Sequence, residues 1–393
     1  MTAPWLTLIG IGEAGLAGRV PAACAARDRA EVIFGGQRNL ALAGIGPRGR
    51  PWPVPFDAAP VLACRPRPTV VLASGDPFWH GVGGTLSPHL SPDEWVSHPG
   101  LSTFQLAANR LGWRLEEVQC LGLHAAPFAR LRTILGGEVR AICLLRDGQA
   151  PVELAAWLCA NGFGPARMTI LEALGGPRER IRTTTAATFD IGDIAAPVAA
   201  AVAVTGQRGL PRCAGLPETA FAHDGQITKS PIRAITLSAL APCPGDHLWD
   251  IGAGSGSVSV EFCLAGGRAT AIEARPDRVL NIRRNAADFG IEHRMIIVEG
   301  TAPGALAALA APDAVFVGGG CDADLLDMLW ARIAPGTRLV VNAVTIETEM
   351  LLAQWHAERG GTLLRLDVAE AAPLGRMRGW LASRPVVQWR VCR

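Results

Sequence analysis

Residues Asp250 to Gly256 read DIGAGSG, set between an apolar run, HLWDI, and a stretch of helical character beginning near Val258. A glycine-rich turn from strand to helix lets a ligand approach the backbone, and its amides together with the helix N-terminus favour negative charge. Glu273 ends the next apolar run. A carboxylate there accepts two hydrogen bonds from a ribose diol. The acidic-x-Gly-x-Gly-x-Gly spacing differs from the GxGxxG of a dinucleotide site. Two other readings stay open for this string alone: a tight turn that only packs helix on strand, and a nicotinamide site. In the first half, Gly10, Gly12 and Gly15 do spell GxGxxG. Glu31, which would meet the ribose, begins the next apolar run (EVIF) instead of ending it, so it falls at the wrong edge of a sheet. A second polar string, SGDPFWHG (Ser74 to Gly81), again follows an apolar run, with HPGLST (His98 to Thr103) and LLRDGQAP (Leu144 to Pro151) further on. Asp76 and Pro77 by themselves are equally an ordinary Asp-Pro turn.

These strings need elements to hold them. From Trp5 to about Gly206 short apolar runs (Leu6 to Ile9, Val70 to Ala73, Ala141 to Leu145, Val198 to Val204) alternate with Gly/Pro turns and helical stretches. Such alternation predicts an α/β layer fold. Gln207 to Phe221 loses all periodicity, which puts a domain boundary there: residues 1–206, a linker over 207–222, and a second domain over 223–393. In the second domain Ser230 is placed to cap, and Pro231 to open, a helix carrying Ile232, Ile235, Leu237 and Leu240. Strands are expected at HLWDI and near 269–272, 295–298, 314–317, 339–344, 363–368 and 385–391, with an antiparallel end.

Composition narrows the class. The chain has 393 residues, 49% hydrophobic and 18% charged, enough apolar side chain for more than one core and too little charge for disorder. The 37 basic and 35 acidic residues nearly cancel, which argues against a nucleic-acid or lipid surface as partner. Lys229 is the only lysine. The longest apolar run, Ile194 to Val204, is interrupted by Pro197 and reads as a buried strand, not a membrane span. No basic residue precedes Arg19, which argues against a secretory signal. The 10 cysteines show no CxxC and no Cys/His ligand spacing, so reduced thiols, no metal and a cytoplasmic location are expected.

The string DIGAGSG resembles motif I of the class I S-adenosylmethionine methyltransferases. ITKSPIRAITLSAL (Ile227 to Leu240), HLWDIGAGSGSVSVEF (His247 to Phe262), DAVFVGGG (Asp313 to Gly320) and RLVVNAVT (Arg338 to Thr345) resemble the precorrin methyltransferase/decarboxylase domains of vitamin B12 synthesis. By that resemblance Thr228, Gly252, Ala253, Gly254, Ser255, Gly256, Glu273 and Ala302 contact S-adenosylmethionine. Thr301 stands where that family has an aspartate toward the adenine amine, and GGGCD replaces its usual GGSGG. In the first half LIGIGEAGL, SGDPFWHG, HPGLST and LLRDGQAP resemble the tetrapyrrole (corrin/porphyrin) methylases, in their precorrin C5-methylating branch. That resemblance implies cofactor contacts at Gly75, Asp76, Pro77, Trp79, Ser102 and Thr103. The family's opening GxGPG is altered here at Glu13 and Ala14.

Together the halves resemble the fused, decarboxylating precorrin-6B (precorrin-6Y) C5,15-methyltransferases. The resemblance implies a two-lobed class III tetrapyrrole methylase domain followed by a Rossmann-like class I methyltransferase domain. It implies one S-adenosyl-L-methionine site per domain. Methylation would fall at C5 and C15, with loss of the C12 (ring C) acetate carboxyl as CO2, giving precorrin-8. The partners expected are the precorrin substrate and further copies of the chain in a homo-oligomer. A substrate rich in carboxylates calls for arginines, and Arg233, Arg376 and Arg378 are the candidates for forked contacts. His223 and Asp224 are placed either to shuttle a proton or simply to end a polar linker. No side chain stands out as the catalytic acid or base. Three other functions remain to be weighed: a two-domain NAD-linked oxidoreductase, an N-terminal tetrapyrrole-binding scaffold without its own chemistry, and a methyltransferase acting on RNA or protein.

Overall fold

A computed structural model describes residues 4–17 and 20–393. Arg19, named above in connection with a signal peptide, lies outside them. The chain divides into two compact units. The first runs up to Phe128 and resumes over Ile134–Arg208, and the second comprises Ala129–Thr133 and Gly209–Arg393.

The first unit opens with β1 (Leu6–Ile11), α1 (Pro21–Arg29), β2 (Val32–Gly35), α2 (Gln37–Leu42), β3 (Gly49–Pro51), α3 (Ala59–Leu62), β4 (Thr69–Ser74), α4 (Gly83–Leu86) and β5 (Trp95–His98). The five strands form one sheet in the order β3-β2-β4-β1-β5, every pair parallel. A parallel sheet is covered on both faces, and β1 shows it: Leu6 and Leu8 enter one apolar cluster, Ile9 and Ile11 another. Next come α5 (Thr103–Leu111), β6 (Val118–Gly122), β7 (Arg140–Leu144), α6 (Ala150–Ala160), β8 (Arg167–Glu172), β9 (Arg180–Thr185) and β10 (Val198–Ala203). Their sheet, β6-β7-β10-β8-β9, is antiparallel except for the β6-β7 pair. The run expected to be buried from Ile194 enters its strand only at Val198, directly after Pro197, whose missing N–H cannot join a ladder.

The second unit contains α7 (Ser230–Leu240), β11 (His247–Ile251), α8 (Ser257–Leu264), β12 (Arg268–Glu273), α9 (Pro276–Asp288), β13 (Met295–Glu299), β14 (Ala314–Val317), α10 (Ala323–Arg332), β15 (Arg338–Ala343), α11 (Ile346–Arg359), β16 (Thr362–Leu366), β17 (Ala369–Leu374), β18 (Met377–Ala382) and β19 (Val386–Cys392). Seven strands make a sheet in the order β13-β12-β11-β14-β15-β19-β16, parallel up to β15 and antiparallel on both sides of β19. Strands β17 and β18 pair only with each other. Alternate residues of the central strands feed two cores, Leu248 and Phe316 on one face, Trp249, Val315 and Val317 on the other.

Two expectations are corrected here. Most of the stretch read as a linker over 207–222 belongs to the second unit. Its Leu216 and Phe221 are buried in that unit's core. Glycine and proline density is the same whether a segment hangs free or packs irregularly, so composition could not separate the two. The cap of α7 is Lys229, not Ser230. The hydroxyl of Ser230 instead donates to the Gly215 carbonyl at 2.7 Å. No described helix is long and apolar enough to cross a membrane.

Candidate functional site

In the second unit β11 delivers Asp250 to the carboxyl edge of the sheet, where the chain turns over Gly252 to Gly256 into α8. Gly252 has a φ of +69°, and a side chain there would place its Cβ 2.7 Å from the Gly319 carbonyl oxygen. The loop after β14 therefore lies against this turn, which only glycine permits. The amides of Gly252 and Ala253 both donate to the Ile272 carbonyl at 3.0 Å, pinning the turn to the end of β12. Glu273, the next residue, is buried. It accepts from the Gly254 amide at 2.8 Å and from the Arg275 amide at 3.0 Å. Gly300 donates to the Glu273 carbonyl at 2.9 Å, bringing Thr301 and Ala302 to the same edge.

Asp250 is fully buried. Its Oδ2 accepts from the Ser259 hydroxyl at 2.6 Å and from the Ser259 amide at 3.2 Å. Burial, helped by the charge of Glu273, pushes its carboxyl up to about 6 against the pull of those two bonds. Asp250 Oδ1 and Ser255 Oγ are both buried without a hydrogen-bond partner. Two orphaned oxygens beside a glycine turn are what a polar ligand would satisfy. Donors, acceptors and the Glu273 carboxylate on this edge therefore fit a nucleoside carrying a charged amino-acid group.

Asn285 was not visible as a site residue in the sequence. It is fully buried on α9 and holds the turn from behind, donating to the Ser255 carbonyl at 2.8 Å and exchanging two hydrogen bonds with the backbone of Ala222. A signal was present: Asn285 lies on the stripe of Val279, Ile282 and Ala286 that faces the core. Thr228 is half-buried, and its carbonyl accepts from Arg233.

The arginine candidates divide. Arg233 is wholly buried. It pairs with Glu261 at 2.6 Å and donates to the carbonyls of Thr228 and Leu216. Its guanidinium also lies over the Phe221 ring at 4.8 Å. Arg233 is thus a structural arginine, and the expectation of a substrate contact is corrected: every edge of the group is already used inside the protein. Arg376 and Arg378 are exposed, one in the turn and one on a strand of the β17–β18 hairpin. Asp224 pairs with Arg278 at 2.9 Å, and the Gln226 amide together with that guanidinium holds its carboxyl below the usual range. His223 Nδ1 accepts from the Gly225 amide at 3.0 Å. Both side chains tie down the segment that enters the second unit's helix α7.

In the first unit three glycines meet. The Gly75 amide donates to the Ile11 carbonyl at 2.8 Å, and its own carbonyl accepts from Gly100 at 3.0 Å. A Cβ on Gly10 would stand 1.9 Å from the Gly75 oxygen. Beside them Asp76 Oδ1 accepts from the Phe78 amide at 2.8 Å, the Asx turn that Asp-Pro favours. Pro77 is buried and Trp79 rests on Phe104 with ring centroids 4.8 Å apart. Ser102 caps α5 in a reciprocal capping box with Gln105, so its hydroxyl already accepts one backbone N–H. Thr103 is the first residue of that helix, so the six named residues form one neighbourhood. The GxGxxG string does not open a helix: β1 ends at Ile11 and α1 begins at Pro21, which removes the helix terminus a dinucleotide pyrophosphate would use. Among the described residues no group of three His, Cys, Asp or Glu converges as a metal site.

Comparison with known proteins follows the same division. Residues 57–190 match the tetrapyrrole (corrin/porphyrin) methylases, and residues 219–393 the precorrin methyltransferase domain. By class the chain is a methyltransferase with two different methyltransferase domains. A precorrin-6Y C(5,15)-methyltransferase [decarboxylating] of Sinorhizobium sp is 44% identical over 399 residues, spanning 99% of this chain and 96% of that protein. One from Mycobacterium tuberculosis (strain CDC 1551 / Oshkosh) is 38% identical over 403 residues, spanning 99% and 100%. The solved C-terminal domain of a precorrin-6Y C5,15-methyltransferase from Rhodobacter capsulatus is 62% identical, with a TM-score of 0.46, covering 47% of this chain and all of that one. The chain belongs to the family of decarboxylating precorrin-6Y C5,15-methyltransferases.

Proposed function

We propose that the chain methylates precorrin-6B at C5 through its N-terminal domain and at C15 through its C-terminal domain. The second step is coupled to loss of the C12 acetate as CO2, giving precorrin-8. S-adenosyl-L-methionine is the methyl donor, with one site per domain, and the setting is cytoplasmic cobalamin synthesis. The observation that carries the reading is the Gly252–Gly256 turn with Glu273 on its Gly254 amide and the unpartnered oxygens of Asp250 and Ser255 beside it. When bound, the sulfonium supplies an already activated methyl. The protein's work is then to hold and orient. Glu273 takes the ribose hydroxyls, Ser255 meets the amino-acid part, and Thr301 and Ala302 border the base. Gly75, Asp76, Pro77, Trp79, Ser102 and Thr103 do the corresponding work in the N-terminal domain. Because the α5 capping box takes the Ser102 amide and one lone pair of its hydroxyl, the hydroxyl's own O–H is the donor offered there.

No metal or covalent nucleophile is required for attack by an electron-rich meso carbon, which needs alignment and exclusion of water. The conjugated macrocycle serves as electron sink for decarboxylation, leaving the protein to position and desolvate one carboxylate. Arg376 and Arg378, exposed on their hairpin, are free to meet others. Mass spectrometry of the chain with S-adenosylmethionine and reduced precorrin-6 tests the reading. Two added methyls with CO2 lost are expected from the intact chain. Glu273→Ala is expected to leave one methyl with the carboxyl retained, and Asp76→Ala to lose the C5 methyl. Cofactor binding with no change in mass would overturn the substrate assignment.

A further inference from the structure

The first unit holds a charged cluster that the proposed reaction leaves unused. Glu13, in the loop after β1, is only 7% exposed. It pairs with Arg38 on α2 and, at 3.3 Å, with Arg178 in the loop after β8. The approach of the two loops is close, since a Cβ on Gly176 would lie 2.3 Å from the Glu13 Cβ. Arg38 also donates to Ser74 Oγ at 3.2 Å, a hydroxyl that Asn39 shares at 3.3 Å. Ser74 ends β4 immediately before Gly75 and Asp76. The cluster thus stands at the carboxyl ends of β1, β2 and β4, neighbouring strands of a parallel sheet, the edge at which open α/β sheets bind ligands.

One carboxylate between two guanidiniums leaves a surplus positive charge. Burial of Glu13 demands its partners. The arginine side chains, by contrast, remain 40% exposed at Arg38 and 62% exposed at Arg178. A guanidinium carries five N–H donors in a planar fork, and Arg178 spends one described hydrogen bond, on Glu13 Oε2. Its open edge is pre-oriented for a second, bidentate carboxylate. We infer that Arg178, held by Glu13 and flanked by Arg38, binds a peripheral carboxylate of the N-terminal domain's substrate, with Glu13 as the positioning residue. The inference rests on the tetrapyrrole reading of that domain, and gives a role to Glu13, one of the two residues at which the opening loop departs from the GxGPG pattern.

Fluorescence titration of the full chain with uroporphyrin, a tetrapyrrole polycarboxylate, and with its methyl ester tests this. The wild type is expected to bind the acid more tightly than the ester. Arg178→Ala should weaken the acid roughly tenfold or more and leave the ester unchanged. Arg178→Lys should recover part of the loss, and Glu13→Gln should weaken the acid by less than Arg178→Ala does. Affinity for S-adenosylhomocysteine should stay where it was. Arg114→Ala, which removes an equal charge at a side chain 71% exposed, should have no effect. Equal weakening by Arg178→Ala and Arg114→Ala, or no preference of the wild type for the acid, overturns the inference. So does a joint fall in cofactor affinity and midpoint in Arg178→Ala, the mark of a structural role. The expected binding pattern from a chain that transfers no methyl to reduced precorrin-6 would support Arg178 while refuting the proposed reaction.

Discussion

Asp250 and Glu273 are buried carboxylates at neighbouring strand ends, and their surroundings set them apart. Glu273 receives two backbone amides, whereas Asp250 has one satisfied oxygen and one orphan. With its carboxyl raised from 3.8 to about 6, Asp250 in the folded chain keeps a proton that the unfolded chain has already released. Its contribution to stability is therefore full below about pH 4 and is lost as pH rises through about 6. Asp250→Asn abolishes that titration. The variant's unfolding free energy at neutral pH, relative to its value near pH 4.5, should exceed the same difference in the wild type by about 2 kcal/mol. Identical pH profiles for the two proteins would show that Asp250 does not carry the shifted proton.

At the scale of elements, α7 is held to α8 and to the segment before it through Arg233. The arginine joins Glu261 to the carbonyls of Thr228 and Leu216, while Glu261 also accepts the Gly215 and Leu216 amides. Removing one partner of a buried pair strands the other charge, so Arg233→Met should cost about 3 kcal/mol, read as a fall in denaturation midpoint, with Glu261→Gln in the same chain restoring part of it. A variant of unchanged midpoint but raised KM for the tetrapyrrole would return Arg233 to the substrate site. The buried role was not legible in the sequence because Arg233 falls beside Ile232 and Leu237 on a helix whose partners, Leu216 and Glu261, come from elsewhere in the chain. What was legible depended on order within one strand–turn–helix unit. The Gly252–Gly256 turn and Glu273 are spaced by local geometry, and runs such as 314–317 name their strands outright. The β17–β18 hairpin, AEAAPL and MRGWLA, lacks such a run, since neither strand faces a core.

At the scale of the whole molecule that hairpin poses the remaining packing question. It pairs with no strand of the seven-stranded sheet, and it leaves Leu374 68%, Met377 76%, Trp380 79% and Leu381 67% exposed. By the hairpin's register Leu374, Met377 and Leu381 share one face, with Trp380 on the other beside Arg378. Contiguous apolar side chains at this level of exposure mark interaction surfaces. An unpaired two-stranded ribbon is also marginal alone in water and gains most from covering one face. We propose that a second copy of the chain provides the cover, the homo-oligomer expected from the sequence, because a symmetric contact lets one hairpin bury its own equivalent. Replacing Met377 and Leu381 together by Glu places charges on that face without touching the cores of either unit. Light scattering is expected to show the wild type as an oligomer and the doubly substituted chain as a monomer whose S-adenosylhomocysteine affinity is retained. A monomeric wild type, or an oligomer indifferent to the two charges, would move the contact elsewhere.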